Sequence, residues 1–114
     1  MTSIETRVEA FPYKDMTESA QAASDLLRAL SHETRLMLLC MLADGEKSVG
    51  ELEELLELRQ STVSQQLARL RADRLVEKRR DGKSIFYSLA SSEARIIIET
   101  LYELYCKRVS PKSS

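Results

Sequence analysis

Apolar positions recur at helical spacing from Ala23 to Leu70, change to alternation near Leu75, and return to helical spacing after Ser92. Asp15 with Glu18 three residues on reads as a capping box, opening a first helix with the stripe Ala23, Leu26, Leu27 and Leu30 and an end near Ala29. Ser31 is a suitable N-cap for a second helix, "HETRLMLLCMLAD", which ends near Gly45 and is apolar nearly all round, as a central helix is. Ser48 with Glu51 predicts a further capping box, followed by the stripe Leu52, Leu55 and Leu56. After the short link "LRQ", Ser61 is expected to cap a fourth helix with Val63, Leu67 and Leu70 inward. "LVEKRR" and "SIFYSLA" then read as strands joined through Asp81-Gly82, and Ser91 or Ser92 caps a last helix carrying Ile97, Ile98, Leu101, Leu104 and Tyr105.

This order, four helices, a β-hairpin and a helix (α1-α2-α3-α4-β1-β2-α5), predicts a mainly α fold of the winged helix-turn-helix type over residues 15–108, with a flexible arm at 1–14 and a flexible tail at 109–114. A chain of 114 residues fits one domain with a modest core. Its longest apolar run, Leu36 to Ala43, covers 8 residues, too few to span a bilayer, and the N-terminus lacks the apolar stretch of a signal peptide. With only two cysteines, the expected location is the cytoplasm.

Charge sharpens the picture. Residues 1–58 hold 5 Lys and Arg against 12 Asp and Glu, net −7; residues 59–83 hold 8 against 3, net +5; residues 84–114 hold 4 against 3, net +1. A basic block within an acidic chain suits a polyanion, and it coincides with the fourth helix and hairpin. That helix presents residue types that hydrogen-bond base edges, with Gln65, Gln66 and Arg69 in reach of them. Gln60, Ser61, Thr62 and Ser64 lie at its N-terminal end, where hydroxyls and free N–H groups favour phosphate. Arg79, Arg80 and Lys83 are expected at the hairpin tip, against phosphate or a minor groove. Double-stranded DNA is therefore the expected partner.

"LRALSHETRLMLLCML", "SVGELEELLELRQSTVSQQLARLRADRLVEKRRDGKSIFYSL" and the closing helix resemble the ArsR/SmtB family of bacterial repressors over about residues 17–107. The resemblance implies a homodimer built from the first and last helices, an imperfectly palindromic operator, and an inducer that lowers operator affinity. Two positions depart from the family pattern. Gln66 stands where S-x-H-L has His, and Arg74 stands where Gly usually precedes "LV". If that position is left-handed, Arg74 costs on the order of 1 kcal/mol relative to Gly.

Many members of that family sense metals, but this chain lacks the donors. "ELEELLEL" has no thiol, the last helix has no His, and the one histidine, His32, is remote from both. No metal or other cofactor is expected. Cys40 and Cys106 are the only thiols, and each alone could be a small buried hydrophobe. Their placement, in "LLCML" and "LYCK", resembles the sulfide- and persulfide-responsive (SqrR/BigR-like) branch, which implies a dithiol sensor for reactive sulfur species. A direct disulfide needs Cα atoms within about 7 Å, and each inserted sulfur adds roughly 2 Å. Lys107 and Arg108 would favour Cys106 as the attacking thiolate. The alternatives are a repressor responding to general thiol oxidation or another effector, an interaction module with inert cysteines, and a thiol enzyme. The last is opposed by the lack of C-x-x-C or a Cys–His pair.

Overall fold

The computed structural model describes residues 13–106. In chain order these form α1 (Tyr13–Leu30), α2 (Glu33–Ala43), β1 (Lys47–Ser48), α3 (Val49–Leu56), α4 (Gln60–Ala72), β2 (Val76–Asp81), β3 (Ser84–Leu89) and α5 (Ser92–Leu101), which runs on into a π-helical turn over Tyr102–Cys106. The helices, the hairpin and their order agree with the expected winged helix-turn-helix. β1 is an addition: it pairs antiparallel with β3, Lys47 opposite Tyr87 and Ser48 opposite Phe86, so the hairpin is two strands of a three-stranded sheet ordered β1-β3-β2. Two residues are too few to leave a periodic trace in a sequence.

α2 is the central helix. Leu38, Leu39 and Leu42 are buried there, and they meet Leu52 of α3, Val63, Leu67 and Leu70 of α4, Tyr87 of β3, and Ala94 and Ile98 of α5 in one core. The predicted inward face of the fourth helix is thus correct. The stripe on α3 is not uniform, because Leu52 is buried whereas Leu55 is exposed.

Several helix starts differ from expectation. α1 begins at Tyr13 rather than after an Asp15 cap, taking in residues 13 and 14 of the expected arm; Asp15 lies in its first turn, where a carboxylate favours the positive end of the helix dipole. Ser31 does not cap α2. Its hydroxyl donates to the Arg28 carbonyl at 2.8 Å, closing α1, and His32 is the N-cap of α2 without a side-chain bond. α4 likewise starts one residue before Ser61, with Arg59 as N-cap, so the α3–α4 link is Glu57–Arg59 and Gln60 is helical. A left-handed Glu57, φ 54°, makes this link short by turning the chain out of α3 at once. The two remaining caps are as expected. Ser48 and Glu51 form the reciprocal box, at 3.1 and 2.7 Å, and of the two serines before α5 it is Ser91 that accepts from the Ala94 N–H, at 3.0 Å.

The hairpin turn is Gly82-Lys83, with Asp81 opposite Ser84 as the last pair. Gly82 has φ +65°, a value that suits glycine at the first position of a two-residue turn. Arg74 has φ +62°, the left-handed conformation, where α4 gives way to β2. Arg74→Gly is expected to raise unfolding stability by about 1 kcal/mol, read as a higher urea midpoint at unchanged slope. An unchanged midpoint would mean that the turn carries no strain.

Candidate nucleic-acid interface and thiol groove

The outer face of α4 is open. Gln60, Ser61, Ser64, Gln65 and Arg69 are exposed, and Thr62 is half-buried. Gln60 and Ser64 share a groove of about 620 Å³ with Lys78 and Lys83 of the wing and Ser48 at the start of α3. Two lysines of the basic block thus share one concavity with the hydroxyls of Ser48, Ser64 and Ser84, the Gln60 amide and the Glu53 carboxylate. Lys78, not among the contacts expected from the sequence, belongs to it; its only sequence signal was membership of a run of basic residues on a strand. Arg69 lends its Nε to Asp73 at 3.2 Å, an exposed pair of the kind worth less than about 1 kcal/mol and easily exchanged for a phosphate.

Two of the expected site residues sit differently. Arg79 is not at the hairpin tip: it lies three residues before the turn, where its Nε and Nη2 both donate to Glu46 at 2.8 Å and its guanidinium stacks 4.7 Å from the Phe86 ring. These hydrogen bonds from Arg79 hold the Glu46 carboxyl below the usual carboxylate range. The fork fixes the wing to the α2–β1 loop. Arg80 and Lys83 remain exposed, Lys83 in the turn itself. Gln66 is half-buried and faces inward: its Oε1 accepts from Arg35 Nη1 at 3.1 Å.

On another part of the molecule α2 packs against α5, and between them lies an open groove of about 760 Å³. Cys40 and Met41 enter it from α2, Ile96 and Glu99 from α5, and Cys106 from the π-helical turn. The two thiols, 66 positions apart in sequence, thus face the same space. Both are free, Cys40 half-buried and Cys106 exposed. Burial pushes the Cys40 thiol above the ordinary thiol range, and the nearby Cys106 adds to the shift. Alkylation by iodoacetamide is accordingly expected to modify Cys106 first, and Cys40 only as pH rises past the usual thiol midpoint. Equal rates at neutral pH would contradict the burial of Cys40. Lys107 and Arg108, invoked for the acidity of Cys106, lie outside the described residues. Among the described residues no group of three His, Cys, Asp or Glu could hold a metal ion.

Residues 32–78 match the family described as "Bacterial regulatory protein, arsR family". The transcriptional activator HlyU of Vibrio cholerae is 48% identical over 94 residues, covering 82% of this chain and 87% of that protein. The chain belongs to the arsR family. The biofilm growth-associated repressor of Agrobacterium fabrum is 50% identical, over 83% of this chain and 81% of its own. Among solved structures, reduced HlyU from Vibrio cholerae superposes with a TM-score of 0.79, covering 82% of this chain and 98% of that one. The repressor BigR from Xylella fastidiosa gives 0.78 at 43% identity, covering 87% and 98%. These relatives are transcriptional regulators, not enzymes.

Within this arsR-family frame two arginines tie the helices together, and neither stood out in the sequence. Arg95 of α5 donates to the Ala43 carbonyl at the end of α2, at 3.1 Å. Arg35, buried in α2, bonds the end of α1 and Gln66 of α4. An isolated arginine in a mostly apolar helix gives no sign of where it points.

Proposed function

We propose that this arsR-family regulator is a homodimeric, DNA-binding repressor that responds to persulfides through Cys40 and Cys106. The observation that carries the sensing part is their convergence on one groove between the central helix and the last one. DNA binding is supported by the exposed polar face of α4 beside Lys78 and Lys83. Pairing of two copies is supported by apolar side chains left exposed on α1 and on the last helix and its π-helical turn, including Leu27, Ile96, Tyr102 and Tyr105; these would be covered in a dimer. A two-fold dimer reads an imperfect palindrome. The cytoplasm, where thiols stay reduced until a reactive sulfur species arrives, suits the device.

The chemistry balances without a metal. The Cys106 thiolate attacks the outer sulfur of a hydropersulfide RSSH, RS⁻ leaves, and Cys106 carries a persulfide. The Cys40 thiolate attacks the Cys106 sulfur and expels HS⁻, leaving a disulfide and releasing one thiol RSH and one hydrogen sulfide in all. If Cys40 is persulfidated as well, the Cys106 persulfide anion attacks the Cys40 sulfur and expels HS⁻, and a trisulfide results. The bridge joins α2, on which α4 is packed, to the turn after α5.

The founding test is DNA binding itself. The protein is expected to shift duplex DNA from upstream of its own gene, with an affinity that falls steeply with salt, roughly 10³-fold or more between 50 and 200 mM if about six phosphates are contacted. Gln65→Ala is expected to relax base preference, and Lys83→Ala to lower the salt slope by about one. Binding that ignores salt would remove the DNA-binding reading.

A further inference from the structure

Arg35 is a buried cation whose three described acceptors are all neutral. Its Nε donates to the Ala29 carbonyl at 2.7 Å, its Nη2 to the Arg28 carbonyl at 3.4 Å, and its Nη1 to Gln66 Oε1 at 3.1 Å. A buried charge is tolerable only when hydrogen-bonded throughout. The two carbonyls belong to the last turn of the 18-residue α1, where free acceptors and the negative end of the helix dipole converge. That end of α1 fixes the guanidinium plane, and the rigid fork then dictates where the third acceptor must sit. The third acceptor is a side chain of α4, one position from the exposed Gln65.

We infer that Arg35 and Gln66 are positioning residues for DNA binding: the guanidinium, anchored to the end of α1, sets the roll of α4 by holding the Gln66 amide. Gln66 then serves base recognition indirectly rather than as the base reader expected from its place in the helix. This rests on the DNA-binding reading of α4. If the bond is lost, every base contact made by α4 weakens together, so discrimination falls across the half-site. Phosphate contacts from the wing, and with them the salt slope and binding to random duplex, stay as they were. A lost base reader would instead erase preference at one base pair.

The test uses a duplex enriched from a random library by the wild-type protein, a panel of its single base-pair variants, and a random duplex. Measurements are made well below the melting temperature of each protein. Gln66→Met is expected to lower affinity for the enriched duplex about tenfold, the size of an ordinary contact coupling, with the loss spread over the half-site and random-duplex affinity within about twofold. Gln66→Glu keeps an acceptor whose charge Arg35 neutralises, and is expected to stay within about threefold of wild type. In an Arg35→Lys background, Gln66→Met is expected to have no further effect. A loss confined to one base pair, no loss for Gln66→Met, a large loss for Gln66→Glu, or independent effects of the two substitutions would each overturn the inference. Should Arg35→Lys fail to fold, the contrast between the two Gln66 variants decides alone. Failure of the wild type to enrich any duplex would instead show that the DNA-binding reading itself is wrong, and the inference would fall with it.

Discussion

A hydropersulfide added to the reduced protein is expected to join Cys40 to Cys106 within one chain and to weaken DNA binding by about 5- to 150-fold, the range of ordinary allosteric couplings. The groove between α2 and α5 gives the physical reason. Cys106 is exposed and meets the reagent first, whereas Cys40 is half-buried with its proton held more tightly, which suits a resolving thiol. Closing the bridge pulls the π-helical turn toward α2, and α2 supports α4 through the shared core of Leu38, Leu39, Val63 and Leu67. Mass spectrometry of the treated protein should show one intrachain link, with or without added sulfur, and reduction by a dithiol should restore binding. Cys40→Ser and Cys106→Ser should each bind DNA like the untreated protein and ignore the reagent. Hydrogen peroxide in a parallel arm separates the persulfide reading from general thiol oxidation, since release of equal size by both would favour the latter. Release that survives in either serine variant would show that these sulfurs are not the sensor.

Leu52→Ala is expected to lower unfolding stability by about 2–5 kcal/mol, whereas Leu55→Ala, three residues on in the same helix, should change it by less than about 0.5 kcal/mol. Leu52 is 0% exposed, so truncation removes buried methyl groups and leaves a cavity under α4; Leu55 is 54% exposed and loses little on shortening. For a domain of this size the first change corresponds to a melting temperature lower by roughly 10 °C or more, a large share of a typical total stability of about 5–15 kcal/mol. Thermal unfolding followed by circular dichroism would read both. Equal effects at the two positions would mean that α3 is rotated from the orientation described.

The element order was legible because each helix carries its own apolar spacing, and the wing its own alternation and turn. The cap at Ser48, and a cap at one of the two serines before α5, of which the structure picks Ser91, were legible because serine three residues ahead of a free N–H is a local device. Ser31 and Ser61 show its limit: the same residue type lies beside two other helix starts and caps neither, because the backbone of His32 and Arg59 takes the N-cap conformation there. The open face of α4 could be read from the polar residues opposite Val63, Leu67 and Leu70. The inward bond of Gln66 could not, since it depends on an arginine 31 positions away. Arg79 was misplaced for the same reason, its partner Glu46 lying 33 positions off.

By itself the sequence determined the helices, the hairpin and the basic block beside the reading helix, because these follow from residue type and spacing within a few turns of chain; that Arg74 is left-handed was settled by its backbone φ of 62°. Only the tertiary structure decided that Cys40 and Cys106 open onto one groove, that Leu55 is left outside the core, and that Arg35 bridges the end of α1 to α4. Such relations are set by how helix faces rotate and pack against one another, and packing contacts between distant segments leave no periodic mark in either segment alone.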